Sequence, residues 1–126
     1  MDWTHPDLKN KIWTNTVEIP DNGMDDDGNG LIDDVRGWDY INNDNNPMDD
    51  NSHGTHVAGI AAAEANNGIG IAGVNWLAKI MPIKVMTGKG TGDVATIVKG
   101  INYAATHGAT VINMSIGSYA RSLTME

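Results

Sequence analysis

The chain has 126 residues, enough for about one domain with a modest core. It contains no cysteine, which excludes a disulfide framework and any thiolate metal site. The formal charge is −8, and thirteen of the sixteen acidic residues lie in residues 1–50 against three basic ones. That acidic half argues against a nucleic-acid partner, which needs a basic footprint.

Residues 1–50 are rich in Asp, Asn, Gly and Pro, the composition of turns. "LIDDVRGWDYI" predicts one or two short strands there. Just before it, in "DDDGNGLIDD", Asp25, Asp27 and Asn29 alternate ahead of Gly30, and Asp33 follows three residues on. Alternating oxygens before a glycine match the start of an EF-hand calcium loop, with Ile32 at the apolar position. Position twelve is Arg36 instead of glutamate, and no flanking helix pair is evident. A lone calcium loop and a solvated acidic turn both fit this pattern. No run of about 18 apolar residues is present, so no membrane span is expected, and no basic-then-apolar leader is visible at the start.

Residues 51–118 alternate helix and strand. "HVAGIAAAEA" reads as a helix by composition, with His53 and His56 at its start. The positive potential of a helix N-terminus favours a neutral imidazole, which accepts a proton. His53 is therefore a candidate general base, against the plain alternative of an ordinary surface or core histidine. A zinc pair is the weaker reading, because helical zinc pairs use an i, i+4 spacing with a glutamate. "AKIMPIKVM" predicts a buried strand, despite Pro82. "GDVATIVKGINYAATHG" predicts a helix with an apolar stripe at Val94, Ile97, Val98, Ile101 and Ala105, an Asp93 N-cap and a Gly108 stop. "ATVINMSIG" predicts a second buried strand. Such alternation implies an α/β fold with a parallel sheet. "GKGTG" lacks the spacing of a phosphate loop.

Several of these stretches resemble subtilisin-like serine proteases, the subtilases. "NSHGTHVAGIAAAEANNGIGIAGVNW" resembles the family's histidine region, and "DWTHPDL" the segment that follows its catalytic aspartate. "VINMSIGS" is similar to its substrate-pairing strand, and "DDDGNGLIDDVRGWDYINNDNNPMDDN" to the acidic insertion of certain calcium-loaded bacterial members. The likeness runs to about Ser118, and "YARSLTME" follows it less well.

The resemblance implies a partial subtilisin-like α/β fold whose N-terminal and C-terminal thirds lie outside the chain. One partial catalytic domain would then hold an acidic calcium-loop segment (1–50), a histidine and substrate-strand segment (51–118) and a tail (119–126). It assigns His53 as the triad base and leaves His56 a structural role. The family's catalytic aspartate would fall before Met1, and its serine and oxyanion asparagine beyond Glu126. Ser52, Ser115, Ser118 and Ser122 do not match the nucleophile position. The chain alone is therefore expected to be inactive. The resemblance also implies a polypeptide substrate added as a strand between Gly90, Thr91, Gly92 and Ser115, Ile116, Gly117. It further implies calcium held by Asp7 and Asn67 with the carbonyls of Ala65, Ile69 and Ile71, and at a second loop by Asp39, Asn42 and Asp44. The family context is secreted and monomeric. A non-catalytic calcium-binding or interaction domain on the same scaffold is the alternative, and a product of a broken gene a third reading. With the central strand of the family sheet absent, a marginal or partly molten fold is expected.

Overall fold

The structure is a computed structural model and describes residues 1–117. Ser118, Ser122 and the rest of the expected tail lie outside the described residues. In chain order the elements are a 3-10 turn at Lys9–Lys11, β1 at Trp38–Asp39, α1 at His53–Ala62, β2 at Ile83–Lys84 and α2 at Val94–Thr106.

The second helix, α2, forms where the sequence places it. Asp93 is extended, and its carboxylate accepts the Thr96 N–H at 2.9 Å, which satisfies one of the donors left open at a helix start. Gly108, with φ +79°, turns the chain out of the helix. The buried face is rotated from the expected stripe: Gly100, Tyr103 and Ala104 are buried, Val94, Ile97, Val98 and Ile101 are half-buried, and Ala105 is exposed. Close approach to β2 explains the rotation. A β-carbon on Gly100 would lie 2.6 Å from Val85 Cγ1 and 3.1 Å from Ile83 Cγ2, so this small residue lets the helix backbone rest on the strand.

The first helix, α1, ends at Ala62, short of the expected Ala65. The residues after it are captured by other segments. Asp7 carbonyl accepts the Glu64 N–H, and Ala63 carbonyl accepts the Gly73 N–H. These tertiary hydrogen bonds replace the next helical ones.

β1 and β2 pair in parallel, with Trp38 opposite Ile83 and Asp39 opposite Lys84. An Ile12–Ile80 bridge and a 2.7 Å hydrogen bond from Asn15 N–H to Val35 carbonyl bring residues 11–15 alongside. The chain is thus a partial α/β unit of two helices and a small parallel two-stranded sheet, with α2 packed on β2. Two expected strands are corrected. Of residues 78–86 only Ile83–Lys84 form a strand, and they are half-buried. Residues 109–117 form none, and Val111 is 81% exposed. Their N–H and C=O groups meet no ladder partner among the described residues, and a strand exists only against a neighbour.

The core is small and mixed. Leu8, Trp38, Ala58, Ala62, Ala63, Tyr103 and Ala104 are its apolar part, and Asp7, Asn15, Glu18, Asp33, Asp34 and Asp39 are buried as well.

Candidate active site and cation-binding loops

His53 is the first residue of α1 and is exposed. That placement removes the reading of His53 as a packed core histidine. The turn leading into it is set by Asp49. One Asp49 oxygen accepts the Asn51 and Ser52 N–H groups, both at 2.9 Å. The other accepts the Thr55 N–H at 2.7 Å and the Thr55 hydroxyl. Ser52, at φ +73°, makes no side-chain cap, so Asp49 supplies the capping oxygens from three residues further back. Partial burial pushes the Asp49 carboxyl up, but the Thr55 hydroxyl and the N–H donors of Asn51, Thr55 and Ser52 outweigh it and hold the group at about 2.

Longer-range contacts fix the same turn. Asp2 N–H donates to Thr55 Oγ1 at 2.8 Å, Asn51 Nδ2 donates to Gly88 carbonyl at 2.7 Å, and Lys84 Nζ pairs with Asp50 at 2.8 Å. The imidazole of His53 has no acidic partner among the described residues. His56 is also exposed, one turn along the helix.

The two expected substrate segments lie at the surface, but they differ. Gly90 and Thr91 are tied within their own loop: Gly90 N–H donates to Thr87 carbonyl and Thr87 N–H to Thr91 carbonyl, both at 2.8 Å. Gly92, Ser115, Ile116 and Gly117 have main-chain groups with no backbone partner among the described residues.

The structure brings Asp7 against Asn67 and Ile71, but through the Asn67 amide N–H and the Ile71 N–H, while the Asn67 oxygen accepts the Ile69 N–H at 3.1 Å. Asp7 is buried, its Oδ1 accepts Asn67 Nδ2 at 2.7 Å, and its Oδ2 accepts the Ile71 N–H at 2.9 Å. The Asn67 amide and then the Ile71 N–H hold the Asp7 carboxyl below the usual carboxylate range. Residues 64–72, including Ala65 and Ile69, line an open cleft of about 260 Å³ here. Gly70, at φ +56°, is required, because a β-carbon there would collide with the Asp7 carboxylate.

The acidic loop is rearranged relative to its expected ligand set. Asp25 accepts the Gly28, Asn29 and Gly30 N–H groups, as the turn at an EF-hand start does. Asp33 is engaged elsewhere, accepting the Asn22 and Gly23 N–H groups at 3.1 and 3.0 Å. Asn29 donates its amide to Asp34 at 3.0 Å. Three residues absent from the expected set enter instead. Carboxylate oxygens of Glu18, Asp25 and Asp27 lie within 4.8 Å of one another, and Asp27, Asp34 and His107 form a second such group. Burial pushes Asp27 up, yet Asn15, the Asn29 N–H and His107 bring it below the usual range. Asp34 is fully buried and receives Asn15, Asn29 and the Tyr103 hydroxyl, the last at 2.6 Å. Burial, then the Asp34 contact, pushes the Tyr103 phenol up.

The third expected set is engaged in its own contacts. Asp39 pairs with the Lys84 ammonium at 3.3 Å and accepts Asn42 Nδ2 at 2.8 Å, while Asp44 turns its carboxylate to the Asn46 N–H.

Comparison with known proteins gives a consistent answer. The Subtilase family profile matches residues 1–125. The chain is 45% identical over 116 residues to Subtilisin-like protease 1 of Plasmodium vivax, covering 91% of the chain and 18% of that protein. It is 40% identical over 126 residues to the Thermophilic serine proteinase of Bacillus sp. (strain AK1), covering 100% of the chain and 26% of the relative. It is 44% identical over 112 residues to the Cell wall-associated protease of Bacillus subtilis (strain 168), covering 86% and 12%. The chain therefore spans 12 to 26% of the length of these curated relatives.

Proposed function

The chain belongs to the subtilase family, and we propose that it supplies the histidine segment of a serine endopeptidase, with His53 as general base. In that chemistry the base takes the proton of a serine hydroxyl as it attacks the peptide carbonyl, then returns it to the leaving amine. The observation that supports this reading is the exposure of His53 at a helix tip whose entry turn is braced by Asp49. An exposed imidazole on a fixed backbone meets a substrate with little reorganisation. The serine and aspartate are contributed from outside residues 1–126, so the isolated chain hydrolyses no peptide. The substrate is a polypeptide, laid as an added strand along Ser115, Ile116 and Gly117, whose main-chain groups suit strand addition. Gly92 is the corresponding point on the opposite segment, with Gly90 and Thr91 shaping its loop.

Calcium is the proposed structural cofactor. Asp7 with the Ala65, Ile69 and Ile71 carbonyls would form one oxygen-rich set, joined by the Asn67 side-chain oxygen once that amide turns away from the Ile69 N–H, and Asp25, Asp27 and Asn29 belong to another. Calcium accepts six to eight oxygen ligands in irregular geometry, which suits such loops. It would neutralise the carboxylates and clamp the loops. The protein works outside the cell, a placement supported by the name of the cell wall-associated relative.

A chimaera tests the proposal. Residues 1–126 replace the homologous segment of the AK1 proteinase, with which the whole chain aligns at 40% identity. The chimaera is expected to cleave a chromogenic peptide. His53→Ala should lower kcat by about a million-fold, the loss that removal of the base causes in subtilisin itself. Retained turnover in the variant overturns the assignment. Turnover by the isolated chain, blocked by a serine-directed covalent inhibitor, overturns the view that the nucleophile lies elsewhere.

A further inference from the structure

The loop that begins at Asp25 has arginine where an EF-hand has its closing glutamate. Arg36 lies over the Trp3 ring, 5.3 Å from its centroid, and pairs with no carboxylate among the described residues. It neither replaces the missing ligand nor balances the loop's charge.

Glu18, seven residues before the loop, is only 5% exposed. Its Oε1 accepts the Asp26 and Asp27 N–H groups at 2.9 and 3.1 Å, which fixes the side chain against the loop backbone. Its Oε2 is buried and has no hydrogen-bond partner among the described residues. No lysine, arginine or histidine pairs with Glu18 or Asp25 among the described residues. A buried, unpaired carboxylate beside two others is strongly unfavourable unless a cation or a proton compensates it. The group is all oxygen, with neither imidazole nor thiolate, which selects a hard cation.

We propose that Glu18 completes a calcium site with Asp25 and Asp27, taking from the N-terminal side the place that position twelve fills in an EF-hand. This rests on the calcium reading above and changes its ligand set: Glu18 enters and Asp33, turned toward Asn22 and Gly23, leaves. Glu18 is preorganised for the role, since one oxygen holds the loop, the other is left without a partner among the described residues, and the carboxylate lies beside those of Asp25 and Asp27. The site therefore depends on two separate chain segments, 18 and 25–27, and calcium would tie the approach to the loop onto the loop itself.

The test is calcium titration calorimetry and thermal melting of the 126-residue chain carrying Asp7→Asn, which removes the other loop's carboxylate. Glu18→Gln keeps the Oε1 acceptor for Asp26 and Asp27 and removes only the charge. It should weaken calcium binding about 100-fold, the size of step that ligand charge produces in such loops. It should abolish the calcium-induced rise in Tm, while Tm in EDTA stays the same or rises because one of three crowded charges is gone. Asp33→Asn should leave calcium affinity within about threefold. Glu18 is overturned as a ligand if the Gln variant melts lower in EDTA and binds calcium as tightly as its parent. If neither the wild type nor the Asp7→Asn parent responds to calcium at all, the calcium reading itself fails. The same series in the AK1 chimaera gives the same contrast where the isolated chain does not melt cooperatively.

Discussion

Residues 1–50 and residues 53–117 solve the problem of stability in opposite ways. The first region has few apolar side chains to bury and orders itself through carboxylates that accept backbone N–H groups, with Asp25, Asp33, Asp39 and Asp49 each organising a turn. The second has the regular helices, yet leaves Val74, Leu77 and Val111 more than 80% exposed. Local polar turns are completed by their own segment. Helices and parallel strands need neighbouring layers to cover them. Much of what orders the first region therefore lies within it, while the apolar surface of the second still lacks a covering layer among the described residues.

The largest test of this contrast is Asp34→Ala. Asp34 is fully buried and joins Asn15 and Asn29 of the acidic region to Tyr103 of α2. Removing it strands three donors, and a loss of about 3 to 5 kcal/mol is expected in urea unfolding. A loss below about 1 kcal/mol would mean that the polar network does not hold the two regions together. Gly70→Ala comes next. It forces a β-carbon against Asp7 at a positive φ, and a loss of about 1 to 3 kcal/mol is expected.

Asp49→Ala is a smaller test, with a pH signature. It removes the acceptors at the start of α1, worth about 1 kcal/mol by analogy with an N-cap. The folded carboxyl titrates at about 2, below its ordinary value of 3.8. A lowered folded value means the contribution is complete above about pH 4 and is lost as pH falls toward 2. Acid unfolding curves of the wild type and Asp49→Ala should therefore draw together below about pH 4 and converge only at about pH 2 and below. Parallel curves throughout would remove Asp49 from the role of brace.

How much of this was legible in the sequence depended on distance along the chain. The Asp93 cap, the Gly108 stop and the Asp25 turn are complete within a few residues, and each appears where the pattern places it. The grouping of Asp7 with residues 65–71 followed only from the family resemblance, since nothing local links positions some 60 residues apart. Glu18, Asp34 and His107 were missed for that reason. Asp34 sits beside Asp33 in a run of identical residues, and only the three-dimensional turn decides which one points inward. The strand at 109–117 failed differently. Its composition is strand-like, but a strand also needs an edge to pair with, and composition cannot supply one.

The smallest effect sharpens the comparison from the other side. Leu77 is 91% exposed, so Leu77→Ser removes almost no buried apolar area. Surface changes of this kind ordinarily stay within about 0.5 kcal/mol. Urea unfolding of the 126-residue chain should show that small change. In the AK1 chimaera the same substitution asks whether the surrounding domain covers this surface. There, a loss of about 2 kcal/mol, the scale of burying a leucine, would mean that the exposed face of residues 74–77 packs against the rest of the domain. A negligible loss in both settings would make Leu77 a true surface residue, and the contrast between the two regions would then rest on the 109–117 segment alone.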